Sequence, residues 1–324
     1  MRNRQSYWYS RICFSAPSAA LVSFSAPSAA LAALIAAAAV TACATAVNPV
    51  ELPPVQPPAV KLPNQAESTR FAVIGDTGTG GIEQHRLAQQ LIAAHSRFPF
   101  ELVLMTGDNM YGTETAQDFV NKFEAPYKPL LDAGVKFYAS LGNHDDTDQV
   151  FYEPFNMDGK RFYSFKPKAD VRVYAIDSNY MSREQMEWLE KELADSTSQW
   201  KIAFFHHPPY STGGRHGSDV QLREALEPLF VKHGVDVVFT GHEHFYERLK
   251  PQQGVHYFIS GGGGKLRRGD IAGGAIHAKG FDEGYHFMLV EIAGDVMHFQ
   301  VINEVGTTVD SGAVKRPPTA ADSQ

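Results

Sequence analysis

The 324-residue chain is 44% hydrophobic and carries 29 basic against 36 acidic side chains, a formal net charge of −7. That size and composition suit one large α/β domain with an N-terminal extension, or two small domains. The acidic balance excludes nonspecific nucleic-acid binding, where Lys and Arg must meet phosphates. Both cysteines, Cys13 and Cys43, precede the expected domain, which excludes a disulfide framework or a thiolate metal site inside it.

The charges before residue 50 are Arg2, Arg4 and Arg11. An unbroken apolar run at 29–40 and the tetrapeptide VTAC, Val40–Cys43, follow them. Basic, then apolar, then small residues is the order of a secretory signal, and the run is shorter than the roughly 20 residues a spanning helix needs. VTAC resembles a bacterial lipobox. Residues 1–42 are therefore expected to be a signal peptide, with Cys43 lipidated and the protein exported to the periplasm or cell surface on a lipid anchor. A plain signal cleaved nearby is the alternative. The segment FSAPSAAL occurs at 14–21 and again at 24–31; no structure is read into the repeat. Loss of residues 1–42 takes the 29 basic side chains to 26 against 36 acidic ones, so the body is more acidic still. Residues 43–69, with Pro49, Pro53, Pro54, Pro57, Pro58 and Pro63, are expected to be an extended linker. The domain is placed at 70–312 and a mobile tail at 313–324.

Within the domain, short apolar runs end abruptly in polar, glycine-bearing turns. FAVI (71–74) meets Gly75-Asp76, ELVLM (101–105) meets Thr106-Gly107-Asp108, and KFYASL (136–141) meets Gly142-Asn143-His144. VRVYAI (171–176) meets Asp177, KIAFF (201–205) meets His206-His207, and VDVVF (235–239) meets Thr240-Gly241-His242. Such runs read as buried strands. Leu87, Leu91 and Ile92, then Phe119 and Phe123, then Met186, Leu189 and Leu193, then Leu222, Leu226 and Leu229 fall at helical spacing. Met186 and Trp188 are assigned to the core. The alternation predicts an α/β fold; HYFIS, HFMLVEI and MHFQVI after Pro251 predict an added antiparallel part.

Candidate metal ligands end nearly every predicted strand, and open α/β sheets bind ligands at those ends. The oxygen and imidazole donors of GDTG, GDNMY, GNHD, FHHPP and GHEH suit iron, zinc or manganese. An extended GHEH backbone would point His242 and His244 to one side. The glycines at 261–264 lack the helix and Lys-Ser/Thr of a nucleotide loop and are taken as a structural turn near the site. His85, His95, His233, His256, His277, His286 and His298 have no motif context and are taken as surface or satisfied core residues.

GDTG, GDNMY, GNHD, FHHPPYS and GHEHFYER resemble the five blocks of the metallophosphoesterase superfamily, in its purple acid phosphatase branch, over about residues 70–310. The short chain is similar to the small, tartrate-resistant type. The resemblance implies a calcineurin-like α/β/β/α sandwich with a binuclear metal site at the strand C-terminal ends. It implies ferric iron on Asp76, Asp108, Tyr111 and His244, and a second ion (iron, zinc or manganese) on Asp108, Asn143, His206 and His242, with Asp108 bridging. His207 could exchange roles with His206; the position of Pro208 favours His206. The implied reaction is attack of a metal-bound hydroxide on a phosphate monoester, with an acid optimum. His144 would be catalytic at the leaving oxygen, Asp145 would orient its ring, and His216 would be a second substrate-side histidine. The expected partner is a small phosphorylated substrate, the expected state a monomer. Alternatives are a phosphodiesterase or nucleotidase using manganese or zinc, and a non-catalytic metal-bound surface module, against which the full ligand set argues.

Overall fold

The computed structural model describes residues 52–316. The signal segment 1–42, Cys43, the start of the linker and the end of the tail lie outside them.

Each predicted strand is present: β1 Thr69–Ile74, β2 Leu102–Met105, β3 Lys136–Ala139, β5 Val171–Ala175, β6 Trp200–Phe204, β7 Val237–Thr240, β9 His256–Ser260, β11 His286–Ala293 and β12 Val296–Asn303. Four further strands were not anticipated: β4 Tyr163–Lys168, β8 Tyr246–Leu249, β10 His277–Phe281 and β13 Thr308–Lys315. They form two sheets, ordered β13-β12-β11-β1-β2-β3 and β10-β8-β9-β7-β6-β5-β4. In the first, β1, β2 and β3 are parallel and β11–β13 antiparallel. In the second, β5, β6, β7 and β9 are parallel.

The inner faces meet in one core, where Phe71 of β1 packs edge-on against Phe239 of β7 at 6.1 Å between centroids. Helix α1 (Ile82–His95) and the run α2 (Ala116–Phe119), a wide turn at 120–124 and α3 (Ala125–Asp132) add Leu87, Leu91, Phe123 and Tyr127 to that core. Helices α4 (Arg183–Ala194) and α5 (Val220–His233) bury Leu189, Leu193, Leu222 and Leu226 in a second cluster with Tyr174, Ala203 and Val238. Residues alternate faces along a strand, so the two clusters lie on opposite sides of the second sheet. The result is the expected α/β/β/α sandwich. Trp188 and Met186 are only half-buried at the edge of that second cluster, not core: Trp188 stacks obliquely on Phe162, 5.0 Å away.

Local sequence explains where α4 and α5 begin. Ser182 accepts a hydrogen bond from the Gln185 amide at 3.1 Å and Asp219 one from Leu222 at 2.9 Å, each satisfying a free first-turn donor.

The domain is wider than 70–312. Asn64 and Gln65 each donate a backbone amide to the buried Glu291 carboxylate at 2.6 Å. Lys61 N donates to Gln300 Oε1 at 2.7 Å, and Gln300 Nε2 donates to Ala59 O at 2.8 Å. Val60 and Leu62 pack on the core. Residues 59–68 are thus part of the fold, because two buried polar side chains of β11 and β12 take up their backbone groups. At the other end β13 pairs with β12 as far as Lys315, so 313–315 belong to a strand and not to a tail.

Candidate metal centre

Five strand ends, from both sheets, face one rim. Asp76 follows β1, Asp108 follows β2, Asn143 follows β3, His206 follows β6 and His242 follows β7. Three of these residues have left-handed backbone: Asp76 at φ 57°, Asp108 at 49° and His242 at 68°. Such strain persists where surrounding structure over-determines it, typically at functional sites. The glycines beside them let loops close in. A Cβ on Gly142 would fall 2.2 Å from Asp108 N, and one on Gly241 would fall 2.5 Å from Asp76 Oδ2.

The donors gather in two adjoining groups. In one, Tyr111 OH lies 3.1 Å from Asp76 Oδ1 and 3.3 Å from His244 Nε2, and one ligand atom from each of Asp76, Asp108 and His244 falls within 4.8 Å of the others. In the other, His206 Nε2 lies 3.1 Å from Asn143 Oδ1, 3.1 Å from His242 Nδ1 and 3.3 Å from Asp108 Oδ1. Asp108 belongs to both. His206 Nδ1 lies 2.9 Å from Thr106 O; donating there aims the Nε2 lone pair at the cluster. His207 shares the neighbourhood, but its Nδ1 is 2.9 Å from Ser178 Oγ, and Asp108 and Asn143 face His206.

This packing calls for cations. Burial, then the Asp108 charge, raises the Asp76 carboxyl well above its usual range. Burial holds His206 well below its ordinary value, His242 down to about 2 and His244 to about 4, so all three are neutral with lone pairs free. The His206–Asp108 contact is therefore no ion pair. With its proton on Nδ1, His206 Nε2 has none to offer the three oxygen and nitrogen atoms 3.1–3.3 Å away; a metal ion can join them. Tyr111, driven upward first by burial and then by Asp76 and Asp108, stays a phenol until a cation favours the phenolate. Carboxylate, imidazole, amide and phenol donors fit transition-metal ions.

Above the donors opens a cleft of about 410 Å³. Arg215, His216, Lys265, Leu266 and Arg267 line it together with Asn143, His144, His242 and His244. A larger cleft of about 650 Å³ beside β4 and α4 is bordered by Arg161, Phe162 and Trp188; among the described residues neither donor group lines it. His144 is exposed, with its ring 4.9 Å from that of Tyr111. His216 stacks on His242 at 4.2 Å.

Two expectations change. Asp145 does not orient His144. Its Oδ1 accepts from Met110 N at 2.9 Å and Gln149 Nε2 at 2.8 Å, and its Oδ2 from Gly142 N at 2.7 Å and Asn109 Nδ2 at 3.0 Å. A half-buried carboxylate takes the nearest donors, and here they are amides of the 108–111 and 142–149 loops, which it ties together. Burial and then Asp108 push it up to about 8, with the backbone amides pulling it down. GHEH, moreover, is a bend rather than extended chain: its turn at His242 sends His242 to His206 and His244 to Asp76.

Glu243, Arg215, Lys265 and Arg267 were not anticipated. Buried Glu243 accepts from Gly217 N at 2.8 Å and stands 3.4 Å from Arg267. The glycines 261–264 are a structural turn, with Gly263 N donating to Gly75 O at 3.0 Å.

Residues 69–246 match the calcineurin-like phosphoesterase family. The chain belongs to that family and is a phosphoric ester hydrolase with a site for two metal ions. Its curated relatives include purple acid phosphatases. It is 27% identical over 280 residues to purple acid phosphatase 17 of Arabidopsis thaliana, covering 74% of this chain and 82% of the relative. It is 27% identical over 244 residues to the tartrate-resistant acid phosphatase type 5 of Oryctolagus cuniculus, covering 60% and 72%. Among solved structures, a purple acid phosphatase from yellow lupin seeds superposes with TM-score 0.65 at 20% identity, over 81% of this chain and 56% of that one. GAP50, an anchor in the inner membrane complex of Plasmodium, gives 0.66 at 15%, over 78% and 90%. At such identities the two structures establish the fold alone.

Proposed function

We propose that the protein hydrolyses phosphate monoesters at an iron-containing binuclear centre with an acid optimum. The observation that carries this is the convergence of Asp76, Asp108, Tyr111 and His244 with Asn143, His206 and His242 on one shared carboxylate. Ferric iron would be held by the first four, and iron, zinc or manganese by Asp108, Asn143, His206 and His242. Two such ions supply a clamp for phosphoryl oxygens and an activated water at low pH.

The chain's own contribution is orientation and proton transfer. The Thr106 carbonyl and the Asp76 carboxylate fix His206 and the His242 backbone at 2.9 Å each. His144, free at the rim, is placed to donate a proton to the leaving oxygen. His216, on the cleft wall, is placed to hold the phosphoryl group.

Purified, metal-loaded protein is expected to show a broad visible band, about two metals per chain, and hydrolysis of para-nitrophenyl phosphate in acid. Tyr111→Phe should abolish the band while the metal content stays. A colourless active enzyme moves the reading to a manganese or zinc phosphoesterase. Full metal loading with no hydrolysis of mono- or diesters sinks it.

Export on a lipid anchor is proposed from the VTAC sequence. Cys43→Ser expressed in the native host should shift the protein from the membrane fraction to the soluble exported fraction. An unchanged distribution refutes the anchor.

A further inference from the structure

The cleft holds more positive charge than one phosphoryl group needs. Two metal ions bound as proposed, with His144 and His216, would already face that group, yet Arg215, Lys265 and Arg267 line the same cleft. The chain as a whole is acidic, so three cations around one opening run against its average.

The three are held differently. Arg267 N donates to His244 O at 3.0 Å, which fixes the 265–268 loop to the metal loop. The Arg267 guanidinium is balanced by Glu243 at 3.4 Å and Asp270 at 3.6 Å. Lys265 and Arg215 have no carboxylate within ion-pair distance among the described residues. Lys265 Nζ instead stands 3.9 Å from the centre of the Tyr111 ring, and Arg215 is exposed next to His216. Lys265 is half-buried and Arg215 exposed, and cations that share one opening without a carboxylate partner attract an anion.

We propose that Lys265 and Arg215, backed by Arg267, form a second anion subsite beside the metal centre, and that the preferred substrates are phosphate esters bearing another anionic group on the same molecule. The inference deepens the phosphatase reading and rests on it. A further phosphate and a carboxylate share the chemistry that the two cations recognise, and the probes below separate them.

The test compares kcat/KM of the metal-loaded enzyme for glycerol 2-phosphate, 2-phosphoglycerate and 2,3-bisphosphoglycerate. Wild type should favour at least one of the doubly anionic esters by roughly tenfold or more, the scale of one charge-assisted contact, and added salt should weaken the preference. The double variant Lys265→Gln/Arg215→Gln should lose most of that ratio, chiefly through KM. Because the readout is a ratio within one preparation, changes in folding or metal loading cancel. A ratio near one in wild type, or one untouched by the substitutions, overturns the subsite and leaves the phosphatase standing. No hydrolysis of any of the three with both metals bound overturns the phosphatase reading and the subsite with it.

Discussion

Asp108→Asn is expected to lower kcat/KM by about a thousandfold or more and to cut the bound metal from about two ions per chain to fewer than one. A metal clamp supplies several kcal/mol of transition-state stabilisation, and about 4 kcal/mol is a factor of a thousand. Asp108 is the residue common to both donor groups, so its loss weakens both sites at once. Asn suits the position: it tolerates the left-handed backbone at φ 49° and keeps an oxygen for the His144 amide, 3.0 Å away. The stability effect should change sign with metal. Without ions, Asp108 raises the Asp76 carboxyl, so two buried acids oppose one another, and removing one charge should leave the chelated variant at least as stable as chelated wild type. With metal at a hundredfold excess over Kd, each ion lost costs about 2.7 kcal/mol, and wild type should melt higher. Thermal unfolding with and without chelator, beside metal analysis, measures this. A variant that keeps two ions and its activity would show that Asp108 is not shared.

The strand-end donors that gather at the rim were legible because they stand at abrupt ends of apolar runs, and a buried parallel strand writes itself as such a run. The strands that went unseen are mostly edges. β13, β10 and β4 end the sheet orders, and their sequences TVDSGAVK, HAKGF and YSFKPK carry charge, glycine or proline, as edges facing water do. β8 was hidden inside GHEHFYER, read for its histidines alone. Side-chain direction in turns was the other blind spot. His144 and Asp145 are neighbours in sequence, yet one faces the cleft and the other the ligand loops. Arg215, Lys265 and Arg267 sit in glycine-rich loops without periodicity, and only the fold brings them to one opening.

The acid optimum proposed for the site meets a limit built elsewhere in the fold. His286 opens β11 and is fully buried; among the described residues neither ring nitrogen makes a well-formed hydrogen bond, and the Gly284 backbone only partly favours the protonated ring. The edge of Tyr246 stands 5.7 Å from its ring, and Gly262 leaves no room for a Cβ beside it, 2.5 Å away. Burial pulls its imidazole down to about 3, against an ordinary value near 6.5. The folded value is the lower one, so between about pH 6.5 and 3 the unfolded chain binds a proton that the folded chain refuses. Stability from this group is complete above pH 6.5 and falls as pH drops, by about 1.4 kcal/mol per unit and ~4–5 kcal/mol over the window. His286→Leu removes the titrating group. Its stability at pH 7 will shift by the cost of the new shape, but its slope between pH 6 and 4 should be shallower than that of wild type by about 1 kcal/mol per unit. Denaturant titrations at matched pH, both proteins stripped of metal, read that difference. Equal slopes would mean that the imidazole finds a proton acceptor or water in acid, and that the fold tolerates the pH at which the metal centre is proposed to work without this cost.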